Sequence, residues 1–137
     1  MAFCWAAAIS ILASVTSSTL PAPPPAAPQV SLPALTEGQQ LLVRTTARTF
    51  RLTVIDPRTG ETRAAVSTDG VHFSQPARVY FLGATQGRQS GLGEMLVLMG
   101  AIRPGLRMEL GLGSLSRFDR ALSEPVTDIR VLSPATE

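Results

Sequence analysis

Nineteen residues, Glu94 to Leu112, constrain this chain more than any other stretch. They are the most apolar part of it outside the N-terminus, and they are broken once, at Arg103-Pro104-Gly105. Proline presets φ at the second position of a turn and the following glycine tolerates φ > 0, as a type II turn requires. After the turn Leu106, Met108, Leu110 and Leu112 alternate with Arg107 and Glu109, the period of a half-buried strand. Before it, Met95 to Met99 is apolar on both faces and reads as a strand covered on both sides, with a short helix as the alternative. Together the two arms predict a β-hairpin on which the other strands assemble.

Period-two alternation recurs along the chain. Leu41 and Val43 alternate with Leu42 and Arg44. Phe50, Leu52 and Val54 point inward while Arg51 and Thr53 point outward. Asp56-Pro57-Arg58-Thr59-Gly60 is the strongest turn signal, because Asp, Pro and Gly each serve a different turn position. The return strand, Glu61 to Ser67, carries Ala64 and Val66 inward, and Asp69-Gly70 turns the chain again. Val79 and Phe81 share a face opposite Tyr80. Gly83 to Gly93 holds four glycines in eleven residues and reads as a flexible loop. Leu115, Phe118 and Leu122 have helix-like spacing, compatible with one helical turn or an irregular crossing. Thr127, Ile129 and Val131 are expected inward in a last strand. The expectation is all-β: a small antiparallel β-barrel or sandwich of six to eight short strands spanning 37–137.

Residues 1–20 contain no charge and run through Phe3, Trp5, Ile9, Ile11, Leu12 and Val15 into Thr16-Ser17-Ser18-Thr19. That is a secretory-signal-like core without its basic leader. Either the true start lies upstream or the amino terminus alone supplies the charge. An uncleaved anchor and a segment with no targeting role compete with a cleaved signal. The run is short and rich in Ala and Ser for a membrane span, and no integral membrane segment is expected beyond it. Residues 21–36 form a Pro/Ala-rich linker; six of the fourteen residues from Leu20 to Pro33 are proline, which favours an extended spacer. The expected location is secreted, periplasmic or envelope-associated.

All 12 basic residues are arginine, Lys and Asn are absent, and the net charge is +2. The arginines are spread from Arg44 to Arg130, so nucleic acid is not the favoured partner. Cys4 is the single cysteine and His72 the single histidine. A disulfide within the chain and a Cys/His zinc site are therefore excluded. A Ser-His-Asp triad would have to use His72 with Asp69 or Asp119, but no nucleophile elbow is present. The 83–90 stretch lacks the lysine and the following helix of a phosphate loop. Glu94 and Glu109, if on neighbouring strands, are the remaining carboxylate pair for hydrolysis. Nearby arginines explain them more simply as cross-strand ion pairs. No catalytic, cofactor or metal residue is assigned.

Phe50-Arg51-Leu52-Thr53-Val54, Asp56-Pro57 with Thr59-Gly60, Leu82-Gly83-Ala84-Thr85, Gly105 to Leu110 and Glu124-Pro125-Val126 with Ile129 resemble a pattern in uncharacterised small exported bacterial β-domain proteins. The resemblance spans about 41–131 and implies an exported all-β domain with no activity attached. The functional expectation is a non-catalytic structural or binding module at the bacterial envelope, its partner an envelope protein or an acidic polymer. The alternative is a dedicated anion or acidic-polymer binder using surface arginines and the 83–93 loop, with Arg88, Arg103 and Arg107 as contacts. A small carboxylate hydrolase is the third reading.

Overall fold

The computed structural model describes residues 28–89 and 93–132. The signal-like segment and residues 21–27 of the expected linker lie outside them. Among the described residues the fold is all-β and antiparallel: β1 (Val30–Ser31), a 3-10 turn at Leu32–Ala34, β2 (Gln40–Thr45), β3 (Thr49–Asp56), β4 (Glu61–Ser67), β5 (Ala77–Gln89), β6 (Gly93–Met99), β7 (Ala101–Ile102), β8 (Arg107–Leu112) and β9 (Arg120–Leu132). No helix there is long and apolar enough to cross a membrane.

The main sheet runs β4-β3-β2-β9-β8-β5-β6, and β4 also pairs with β5. Strands β2, β3, β4, β5, β8 and β9 thus close into a ring, the pairing of a small β-barrel, which leaves those six without a free edge. The two 13-residue strands make closure possible. β5 pairs with β4 through Ala77–Tyr80 and with β6 beyond Gly83, while β8 lies along its other side. β9 pairs with β8 in its first half and with β2 in its second.

The alternating residues fill the ring. Leu41, Val43, Phe50, Leu52, Ala64, Val79, Phe81, Met108, Leu110 and Val126 form one buried cluster with Leu32 and Ile102. The β3–β4 turn is as expected: Asp56 Oδ1 accepts the Arg58 N–H at 2.9 Å. Gly60 stands at φ +76°, where a Cβ would lie 2.2 Å from the Phe81 carbonyl oxygen.

Several expectations are corrected. The arms of the Glu94–Leu112 stretch are not a hairpin, because β6 and β8 flank β5 on opposite sides. The Arg103–Leu106 turn does form, with Leu106 N–H donating to Arg103 O at 3.2 Å. It returns the chain to β9, where Gly105 and Leu106 bond Val126. Gly83 to Gly93 is not a loop: its first seven residues belong to β5, and Gly93 opens β6. Glycine is required at position 83 because a Cβ there would meet the Leu98 carbonyl oxygen at 2.1 Å.

The linker expected to 36 also ends early, since Leu32 is 1% exposed in the core and Val30–Ser31 pairs with Ala101–Ile102. Proline at the start of the 3-10 turn lacks an N–H that has no partner there in any case. Leu115 and Phe118 lie in an irregular β8–β9 turn and are exposed. Thr127 is exposed, because a bulge lets Thr45 pair with Val126 and Arg44 with Asp128.

Candidate functional site: an arginine face and an open barrel mouth

Strand alternation sends Arg44, Arg51, Arg63, Arg78 and Arg130 to the outer face of β9-β2-β3-β4-β5, and all five are exposed. Register gathers them. Arg130 and Arg51 flank Leu42 in one cross-strand row. In the next row Thr53 pairs with Arg63, and Arg63 stands directly opposite Arg78. Neighbouring strands are about 4.8 Å apart, so each guanidinium stands near the one on the adjoining strand, and the five follow the outside of the ring from β9 round to β5.

Two of the five are ion-paired. Arg78 Nε lies 2.7 Å from Glu61 Oε1, and Arg130 Nε lies 3.2 Å from Asp128 Oδ2. Arg44, Arg51 and Arg63 take part in none of the ion pairs found among the described residues. The Arg51 guanidinium stacks on Phe73, 4.0 Å from the ring centroid, which fixes the charge without neutralising it. Beside Arg44 is a shallow polar hollow of about 230 Å³, walled by threonines 45, 46, 49, 68 and 127 together with Arg48 and Asp69.

Asp69 is occupied by its own turn. It accepts from Ser67 Oγ, from the Val71 and His72 amides, and lies 2.7 Å from His72 Nδ1. The His72 contact, followed by those backbone bonds, pulls its carboxyl well below the usual range. Of the residues a triad would have to use, Asp69 and His72 are in contact. The hydroxyl at hand, Ser67, bonds the carboxylate rather than the imidazole and is 2% exposed.

The second region lies inside the ring. Connections β2–β3, β4–β5 and β8–β9 crowd one end, and a cavity of about 320 Å³ opens among them. Its apolar wall includes Phe50, Val66, Val79, Leu110 and Leu112. Space remains because Ala64, Ala77 and Ala121 occupy wall positions that larger residues would fill; Ala64 and Ala77 pair directly, as do Leu110 and Ala121. At the rim Arg48 donates to Glu124 Oε1 through Nη2 at 2.6 Å and Nε at 3.1 Å, and Thr45 Oγ1 donates to Oε2 at 2.9 Å. The Arg48 bond chiefly holds the Glu124 carboxyl below the usual carboxylate range, against a smaller opposing effect of burial.

The residues expected from sequence to bind anions lie elsewhere. Arg103 is in the turn before β8, and Arg107 opens β8 opposite Thr85 and Pro125. Arg88 stands farther along β5, in register with Glu94. Glu94 and Glu109 are not on neighbouring strands, since β5 runs between β6 and β8. The premise of the carboxylate-pair reading is thereby corrected. Among the described residues no three His, Cys, Asp or Glu side chains gather as a metal site. Sequence reasoning set Arg44, Arg51 and Arg107 on the polar side of their strands but could not say which arginines come together, because that needs the register. It missed Arg78 and the Arg48–Glu124 pair, whose partners are 76 residues apart. No family model, curated protein or solved structure matches this chain.

Proposed function

We propose that this chain is a non-catalytic binding module, exported to the bacterial envelope, that holds an acidic polymer along the outward arginines of the adjoining strands β2, β3 and β4. The register pair Arg63–Arg78 carries the reading. Like charges directly opposite each other weaken a sheet. Glu61 offsets Arg78, so the fold gains nothing from a second arginine at position 63. A polyanion laid across the face supplies the missing countercharge to Arg63, Arg51 and Arg44 together. The threonine-walled hollow beside Arg44 adds hydroxyl contacts for a sugar or phosphate unit. Export rests on the signal-like segment 1–20, the proline-rich stretch after it and the resemblance to small exported bacterial β-domains.

The test is retention of the full chain on heparin–agarose under a sodium chloride gradient. Arg51→Gln/Arg63→Gln is expected to elute at markedly lower salt than the wild type. Arg103→Gln/Arg107→Gln, which removes the same charge elsewhere, is expected to elute close to wild type. Equal loss in both variants would reduce the effect to net charge and sink the proposal. Loss confined to the second variant would move the site to the β7–β8 turn.

A further inference from the structure

The cavity at the barrel mouth plays no part in polymer binding on the outer face, yet it has the construction of a ligand site. It is blind, because Leu32, Ile102 and Met108, each at most 1% exposed, close the interior beyond it. Its volume of about 320 Å³ is roughly twice that of the ~150 Å³ apolar cavity that accepts benzene. It also falls at the lower end of the range of about 300–1,000 Å³ for small-molecule pockets. The wall is apolar, and alanines at 64 and 121 keep it open. The rim is polar but electrically balanced: Arg48 is bonded to Glu124, and Ser74 and Gln75 stand beside it. An apolar cavity under a neutral hydrogen-bonding rim matches an alkyl chain that ends in an uncharged polar head. A charged head would have to compete with the Arg48–Glu124 pair.

We propose that the open end of the barrel binds a short alkyl chain carrying an uncharged polar head, with the chain between Ala64, Val79, Leu110 and Ala121 and the head beside Ser74 and Gln75. The chain could come from a free amphiphile or from a membrane lipid, and the two sources are separable.

The first arm titrates the protein with n-butanol, n-hexanol and n-octanol and follows the methyl NMR signals of Ala64, Ala121 and Leu110. Saturable shifts are expected, with affinity rising about fourfold per added methylene until the chain outgrows the cavity. Octanoate is expected to bind no tighter than octanol. Ala121→Leu, which takes up cavity space, is expected to abolish the shifts while unfolding as cooperatively in urea as the wild type; Ala64→Val is the second filling variant should the first fail to fold. The second arm sediments the protein with phosphatidylcholine vesicles with and without monoacylglycerol, whose glycerol head is uncharged; co-sedimentation that needs the monoacylglycerol and is lost in Ala121→Leu identifies a lipid as the source. Shifts that do not saturate, or that survive both filling variants, overturn the proposal. So does vesicle binding that Ala121→Leu leaves intact. Concentration-dependent self-association abolished by Phe118→Ser, together with alkanol shifts that do not saturate, would assign the mouth to a second copy of the chain.

Discussion

The two ends of the ring are made by opposite means. At one, the chain spends β1, a 3-10 turn and β7 on a plug: Val30 pairs with Ile102, Ser31 with Ala101, and the Leu32 amide donates to Gly100 O at 2.8 Å. Leu32 and Ile102 are buried to 1% and 0% exposure. Among the described residues nothing comparable enters the other end. Alanines line the wall, Leu112 is 54% exposed at the rim, and Leu115 and Phe118 stand out in the adjoining turn at 55% and 81%. Leu32 and Ile102 join the side chains of the ring strands in one buried cluster, packed as protein interiors are. Around the mouth cavity the lining side chains lack packing partners on one side, whereas Leu32 and Ile102 are packed on all sides. The plug is therefore expected to be sensitive to substitution and the mouth tolerant.

The largest expected effect tests that asymmetry at Leu32. Leu32→Ala removes a fully buried side chain and is expected to cost about 2–5 kcal/mol, seen as a lower urea midpoint at unchanged slope. A cost below about 1 kcal/mol would mean that the segment before β2 is an accessory and the ring closes without its plug. Gly60→Ala comes next. It forces a side chain to φ +76° and drives a Cβ against the Phe81 carbonyl. The strained backbone alone costs of order 1–3 kcal/mol, again read from urea unfolding.

The plug also shows where the sequence was silent. Strand interiors were legible because burial on one face imposes a period of two: Leu41/Val43, Phe50/Leu52/Val54 and Val79/Phe81 are all buried. Pairing was not legible, because alternation says which way a side chain points and nothing about its neighbour. The Arg103-Pro104-Gly105 turn was correctly located, yet the strands on either side of it do not meet. Only the buried pair Ala101–Ile102 reveals the detour. Leu32 was hidden among prolines whose composition speaks for a spacer. The mouth was less legible still, since a cavity is written in what is missing, and Ala64 and Ala121 read from sequence as ordinary strand residues.

The rim of the mouth is held by charge rather than packing, so it is expected to respond to pH where the plug does not. The bond from Arg48 lowers the Glu124 pKa in the folded state. The stability it contributes is complete above the carboxylate's ordinary value of 4.5 and is lost as pH falls through the lowered folded value. Asp69 adds to the same acid-side loss, because its folded pKa is also depressed. Glu124→Gln is expected to cost on the order of 1 kcal/mol at neutral pH, as for a charge-assisted hydrogen bond that is partly solvent-screened. It should also flatten, without abolishing, the fall in urea midpoint below pH 4.5. An unchanged pH profile in that variant would show that the pair does not persist in solution.

The smallest expected effect lies at the tip of the β8–β9 turn. Phe118 is 81% exposed and lies 4.9 Å under the Arg117 guanidinium. Such a residue contributes little to the fold, so Phe118→Ser is expected to change stability by no more than about 0.5 kcal/mol. The comparison with Leu32 is sharp because both are large apolar residues outside the ring strands, one at each end. If burial and not residue type decides the cost, their urea midpoints must separate by the full plug penalty. If Phe118→Ser instead unfolds the protein at a clearly lower urea concentration, the turn folds over the mouth in solution, and the two ends of the barrel are both closed.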